Sequence, residues 1–248
     1  MVGEVDVNEL LRVSNVSFRY GRDLPLALEQ VNFTLLPGKV VALIGPNGAG
    51  KTTLMSLIAG LLPITTGSIE VCGHGAGTLP ARQKLSFVPQ SGAVIDHMTT
   101  RENIFFFAQI YGSESALKRT AEAIEAMSLE KHAGILARKL SAGTRRRLSF
   151  ACAMVGNPKV LIADEITAGV DPPSRDRILS EIEKLRNQGC GVLYSTHYLN
   201  EVARVCDEVI MVCNGRVIER RETAAYVRDG VLSLENRFRE LAGVELRD

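Results

Sequence analysis

Gly45-Pro46-Asn47-Gly48-Ala49-Gly50-Lys51-Thr52 lies between the apolar run Val40–Ile44 and a segment with Leu54, Leu57, Ile58 and Leu61 at i, i+3, i+4 and i+7. A short β-branched run bounded by glycine reads as a buried strand, and the 3.6-residue stripe reads as a helix packed on a sheet. The eight residues between them fit G-x-x-x-x-G-K-[ST], in the strand-loop-helix setting that this pattern requires. At average glycine usage, its fixed positions match by chance on the order of once in a hundred chains of this size, so the match carries weight. Glycines let backbone N–H groups turn inward around phosphate oxygens, and the helix N-terminus adds positive dipole. Lys51 supplies a cation for β- and γ-phosphates, and Thr52 a hydroxyl for Mg²⁺.

Outward from this loop, strand and helix signals alternate. Leu11–Tyr20, Val31–Leu35 and Ser68–Cys72 are short apolar or β-branched runs punctuated by Pro25, Pro37, Gly38 and Gly67. The stretch from Thr100 to Pro158 is helical in character: Glu102–Tyr111, Ser115–Met127, and Arg145–Val155 with Leu148, Ala151, Cys152 and Val155 on one face. Then come the strand Val160–Ala163, a helix from Pro172 with Ile178, Ile182 and Leu185 inward and Gly189 as its stop, and the strands Gly191–Ser195 and Val209–Cys213. Near the end, Leu234, Phe238 and Leu241 share a helix face, Ser233 is a candidate cap and Glu235 with Arg239 an i, i+4 pair. Such alternation predicts an α/β fold built on a parallel sheet.

The 248 residues are 46% hydrophobic and 23% charged, with 29 Lys plus Arg against 28 Asp plus Glu. That balance suits one compact domain with a core large enough to need no disulfides, and it argues against a general affinity for nucleic acid. The five cysteines form no C-x-x-C pair and fit a reducing compartment. Met1–Leu11 carries Glu4, Asp6 and Glu9 where an export signal needs positive charge and an apolar run. No stretch has the 18 apolar residues of a membrane-spanning helix, so any membrane role requires a partner.

Further candidate residues sit at predicted strand ends, where open α/β sheets bind ligands. The run Val160–Ala163 ends in Asp164-Glu165. Neighbouring strand residues point opposite ways, so one carboxylate is placed to hold Mg²⁺ and the other to act as base; taken alone, the pair also reads as a helix cap. His197 closes Tyr194-Ser195-Thr196-His197 and is placed to donate to a γ-phosphate, or is an ordinary histidine. Gln90 follows the strand Leu85–Val88 and is weak on its own. Leu140-Ser141-Ala142-Gly143-Thr144 precedes the helix carrying Arg145, Arg146 and Arg147; Ser141 and the Gly143 amide make either a second anion site or an N-cap, and the arginines read as a solvated face. Two phosphate-facing helix starts with a single Lys-bearing loop suggest that the second completes a site on another copy.

In this order the residues resemble the ATP-binding subunit of ABC transporters over nearly the whole chain, Leu11 to about Gly243. The resemblance implies a P-loop NTPase with a RecA-like parallel-sheet core, an antiparallel β subdomain and a helical subdomain at about 91–158, all within a single domain spanning 1–248 whose last helix is about 233–243. It implies that Tyr20 stacks on adenine and that Gly45, Pro46, Asn47, Gly48, Ala49, Gly50, Lys51, Thr52 and Thr53 bind ATP as the Walker A loop. Ser141 and Gly143, in the signature motif, would touch the γ-phosphate. Thr52, Gln90 and Asp164 would serve Mg²⁺, Glu165 would be the base, Ala168–Asp171 the D-loop and His197 the switch histidine. The implied activity is Mg²⁺-dependent ATP hydrolysis in a head-to-tail dimer of identical copies. That dimer would drive a separate transmembrane permease from the inner face of the cell membrane.

The chain departs from the family pattern at three points. L-S-G-G-Q reads Leu140-Ser141-Ala142-Gly143-Thr144, Ile166 replaces a proline after the base, and Val170 a leucine. Thr99–Gly112, with Phe105-Phe106-Phe107 and Tyr111-Gly112, together with the short terminal helix, resembles the exporter branch serving drugs, polysaccharides, lipids or ions. A soluble ABC-type ATPase that remodels a protein complex is the alternative, and a nonhydrolysing module follows only if the altered signature is dead. A small-molecule P-loop kinase leaves the signature, Asp164-Glu165 and His197 unexplained. The lack of a long coiled coil excludes chromosome-maintenance ATPases, and the single Walker A loop excludes tandem translation factors.

Overall fold

The computed structural model describes residues 9–112, 115–227 and 231–242. Its elements are β1 (Leu11–Phe18), β2 (Leu28–Leu35), β3 (Val40–Ile44), α1 (Lys51–Ile58), β4 (Thr66–Val71), β5 (His74–Gly75), α2 (Leu79–Arg82) and β6 (Leu85–Val88). There follow α3 (Thr100–Ile110), α4 (Ala116–Ala126), α5 (Ala142–Met154), β7 (Val160–Asp164), α6 (Pro172–Asn187), β8 (Gly191–Ser195) and α7 (Leu199–Val205). The chain then forms β9 (Glu208–Cys213), β10 (Arg216–Glu222), α8 (Thr223–Val227) and α9 (Val231–Ala242).

Two sheets result. An antiparallel one has the order β2-β1-β4-β5, and a larger one the order β10-β9-β3-β8-β7-β6, parallel except for β10 at its edge. Residue alternation on the parallel strands divides the core in two. Val40, Ala42 and Ile44 face the same cluster as Leu161, Ala163, Val192 and Tyr194, packed with α3, α5 and α6. Val41, Leu43, Val160, Ile162 and Leu193 face the other way, against α1 and the antiparallel sheet. Both faces of each central strand are covered, which is why these strands read as unbroken apolar runs.

The helices α3, α4 and α5 are inserted between β6 and β7. Thr99 starts α3 with a capping box closed by Glu102, and that backbone bond holds the Glu102 carboxyl below the usual range. Asn103, fully buried, ties the preceding loop down by accepting from Ile95 N and donating to the carbonyls of Ile95, Met98 and Thr99.

Several expectations need correction. Leu61 is 65% exposed because α1 stops at Ile58 and Gly60 takes a positive φ of 68°, with its Cα side against the Gly77 backbone. The signature residues do not precede a helix beginning at Arg145: α5 starts at Ala142, with Ser141 as its N-cap. The three arginines are not a solvated face, since Arg145 pairs with Asp96, Arg146 donates to Pro89 O and Arg147 to Met127 O and Ser128 O. Ser233 falls inside α9 rather than at its start. Leu234 and Phe238 are buried as expected and Arg239 bonds Glu235 at 2.6 Å, while Gly243 lies outside the described residues.

Candidate functional site

Parallel pairing brings the C-terminal ends of β3, β6, β7 and β8 to one edge, and with them the Lys51 loop, Gln90, Asp164-Glu165 and His197. A cleft of about 480 Å³ lies there, lined by Tyr20, Ala27, Asn47 to Thr53, Gln90 and Glu165. The loop is shaped by two glycines above all. Gly50 takes φ 105° to begin α1, a conformation closed to most L residues. A Cβ at Gly45 would lie 2.2 Å from the Val212 carbonyl oxygen on β9, so only glycine lets the loop leave β3 this close to its neighbour.

Lys51 is buried, its Nζ donating to Gly45 O at 2.7 Å and Pro46 O at 3.1 Å. Burial pulls its ammonium below the usual lysine range, and the carboxylates of Glu165 and Asp164 work against that pull. Both oxygens of Asp164 are engaged, accepting from Thr52 Oγ1 at 2.8 Å and Ser195 Oγ at 2.6 Å. Glu165 sits in the left-handed region at φ 47°, its amide shared between Ser195 O and Ser195 Oγ. That strained turn carries the side chain away from Asp164. Its Oε2 accepts from Gln90 Nε2 at 2.8 Å, and its Oε1 lies 2.5 Å from His197 Nε2.

Tyr20 is 61% exposed at the mouth of the cleft, its ring edge-to-face with Phe18 and its hydroxyl 2.9 Å from Thr53 Oγ1. Ser141 and Gly143 do not line the cleft. Ser141 Oγ caps α5 by accepting from Thr144 N, and a Cβ at Gly143 would meet Asp171 Oδ1 at 2.2 Å. The donor set near Lys51 suits Mg²⁺, which takes hard oxygen ligands, few of them from protein. Thr52 and Asp164 offer such oxygens side by side, and no cluster of three His, Cys, Asp or Glu among the described residues competes as a metal site.

Sequence reasoning missed Ser195, which fixes Asp164 and the Glu165 amide together, and Ala27 in the cleft wall. Ser195 had one signal, a hydroxyl at a strand end beside the candidate histidine. Its role depends on β7 pairing with β8, which sequence order does not show.

A phosphate loop, adjacent carboxylates, a glutamine and a histidine gathered on one sheet edge are the parts of a nucleotide-hydrolysing machine. The family model described as "ABC transporter" matches residues 28–168, more than half of the chain. The chain belongs to the ABC transporter family. It is an ATP-binding subunit of that family and an ATPase. The linearmycin resistance ATP-binding protein LnrL of Bacillus subtilis is 37% identical over 84% of this chain and 68% of its own length. The Nod factor export ATP-binding protein I of Sinorhizobium fredii is 35% identical over 86% of this chain; the chain spans 63% of that relative's length. Among solved structures, an ATP-binding subunit of an ABC transporter superposes with a TM-score of 0.81 at 29% identity, covering 95% of each chain. A dimeric ATP-binding cassette bound to ADP and Pi superposes at 0.78 with 26% identity, over 86% of this chain and 98% of that one. The ABC cassette fold with its mixed sheet, antiparallel subdomain and helical insertion is therefore established for this chain, and no helix among the described residues is long and apolar enough to cross a membrane.

Proposed function

We propose that two copies of this chain hydrolyse Mg-ATP head to tail, each ATP lying between the 45–53 loop of one copy and Ser141 and Gly143 of the other, and that closure drives a separate permease that exports its cargo. The observation that carries this is the separation within one chain: the cleft holds the loop, Glu165 and Gln90, whereas Ser141 and Gly143, at the start of α5, lie outside it. A cassette that dimerises in the ADP- and Pi-bound state supports the arrangement. The whole chain acts as one domain, with the 91–158 helices as the part that presents the signature.

Within each site, Lys51 and the loop amides hold the phosphates and Tyr20 the adenine. Thr52, Asp164 and Gln90 are the oxygen donors for Mg²⁺, which supplies charge neutralisation at the β- and γ-phosphates. Glu165 takes the proton of the attacking water. Both its oxygens are engaged by Gln90 and His197. When His197 turns to donate to a γ-phosphate, Oε1 is freed to accept from water, so ATP arrival and activation of the base are one event. Ala142 and Thr144 in place of Gly and Gln leave the Ser141 hydroxyl and the Gly143 amide intact.

For the permease, a groove of about 460 Å³ exposes Leu61, Leu79 and Ile110 along Phe87, Phe107 and Tyr111, an apolar seat for a membrane subunit's helix between the parallel core and α3. Export is supported by the similarity to the Nod factor export protein.

Complementation tests the shared site. Lys51→Ala and Ser141→Arg chains each form dimers with two broken sites, but a mixed dimer has one intact site. Mixing two inactive proteins should restore ATPase activity. No activity at any ratio would contradict the head-to-tail reading. A tagged chain should pellet with membranes together with a multispanning subunit, and Ile110→Glu should release it. Recovery with a soluble complex instead would favour the remodelling ATPase.

A further inference from the structure

Behind the catalytic edge lies a second, deeply buried polar cluster that the site described above does not use. Glu201 on α7 is 2% exposed. Its Oε2 accepts from Thr167 Oγ1 at 2.9 Å, from Thr196 Oγ1 at 2.7 Å and from the Tyr194 hydroxyl. Its other oxygen faces Arg175 Nε of α6 at 3.4 Å without an aligned hydrogen bond, and that guanidinium lies 4.3 Å above the Tyr198 ring. Burial and the adjacent Glu201 carboxylate together push the Tyr194 hydroxyl well above the usual tyrosine range, keeping it a donor.

We propose that Glu201 is a positioning residue for ATP hydrolysis, holding the turn that carries His197 and the loop that carries Glu165 in one fixed relation. Each arm is visible. Thr196 Oγ1 donates to Glu201 and accepts from Tyr198 N at 3.0 Å, which closes the turn around His197. Thr167 lies two residues beyond Glu165 in a tight loop in which Ala168 N bonds Glu165 O and Val170 N bonds Thr167 O. The Thr196 and Thr167 hydroxyls meet at one carboxylate oxygen, so neither loop moves without disturbing the other. A carboxylate buried among hydroxyls is poor value as a packing element, since apolar residues of the same volume serve stability as well or better. Its worth lies in direction: it fixes the two loops whose side chains meet at the 2.5 Å contact between His197 and Glu165.

The proposal rests on His197 and Glu165 acting as described, and the test separates the two ideas. Thr196 and Thr167 are each replaced by valine, which keeps the shape and removes the hydroxyl, and by serine, which keeps the hydroxyl and removes a methyl. Glu201→Gln and His197→Ala are measured beside them, with kcat, KM for ATP and Tm for every variant. Positioning predicts that each valine variant and Glu201→Gln lose about 10- to 100-fold in kcat with KM within about two-fold. The serine variants should keep near-normal turnover, and Glu201→Gln should cost several-fold less in a His197→Ala background. Valine variants with normal kcat, or serine variants worse than valine, would overturn the proposal and make the cluster ordinary packing. Parallel loss of kcat, ATP affinity and Tm in all variants would overturn it too. Full turnover in His197→Ala alone would overturn the reading of the site, and this proposal with it.

Discussion

Replacing Gly45 by alanine tests how closely the phosphate loop depends on its seat against β9. The added Cβ would stand 2.2 Å from Val212 O and 3.2 Å from Ala49 Cβ, where ordinary contact begins near 3.4 Å. The obstacle is backbone carbonyl, not a flexible side-chain end, so the loop or β9 must retreat by about 1.2 Å. Overpacking of this kind costs about 1–3 kcal/mol, or roughly 3–10 °C in Tm for a chain of this size. A loop displaced by that much also loses at least one charge-assisted N–H bond to phosphate, worth about 1.5–3 kcal/mol, or roughly 10- to 150-fold in ATP affinity. Equilibrium titration with a fluorescent ATP analogue and a thermal melt measure both effects. Gly134→Ala is the control, because a Cβ there meets nothing within 4 Å and φ is not positive. Wild-type affinity and Tm in Gly45→Ala would refute the argument that this approach shapes the site.

Three further outcomes are expected. Lys51→Ala should weaken ATP binding by at least ten-fold in the same titration, because it removes the cation from the loop; unchanged affinity would end its phosphate role. Asn103→Ala strips one acceptor and three donor bonds from the loop before α3 and should cost about 2–3 kcal/mol in chemical denaturation. Asp171 caps α6, and its bond from Ser174 N, above all, holds its carboxyl below the usual aspartate range. A depressed folded value means the cap stabilises above the unfolded range and fades as pH falls through the folded one. Asp171→Ala should therefore cost about 1 kcal/mol at pH 7, with the difference from wild type shrinking only below about pH 4, as followed by denaturation at several pH values.

What could be read from the sequence was what local pattern determines. The β3–loop–α1 unit, the buried strands β7 and β8, and the one-sided helix α6 announce themselves because both faces or one stripe must be apolar, whereas α5, read as having one apolar face, is buried all round from Leu148 to Ala153. Strand β10 escaped notice, since Arg216–Glu222 is an edge strand, mostly charged and exposed, in which even Ile218 is 37% exposed. Leu61 fits the α1 stripe, yet the close approach of Gly60 to Gly77 ends the helix first, a contact made by residues 17 apart. At the site, motif residues were legible one by one, whereas Ser195 and the Glu201 cluster exist only because β7 lies beside β8 and α6 beside α7. The arginines after the signature read as solvated because their acceptors, Asp96, Pro89 O and Met127 O, come from three distant segments.

The central claim is that Glu165 is the base of a site shared by two copies. Steady-state ATPase activity measured against chain concentration, with Glu165→Gln alongside, tests it most directly. The account predicts specific activity that rises with concentration, and turnover lower by about 10² to 10⁴ in Glu165→Gln, equivalent to roughly 3–5 kcal/mol of barrier, with ATP affinity unchanged. Activity per chain that stays constant on dilution, or a glutamine variant that hydrolyses ATP like the wild type, would contradict it.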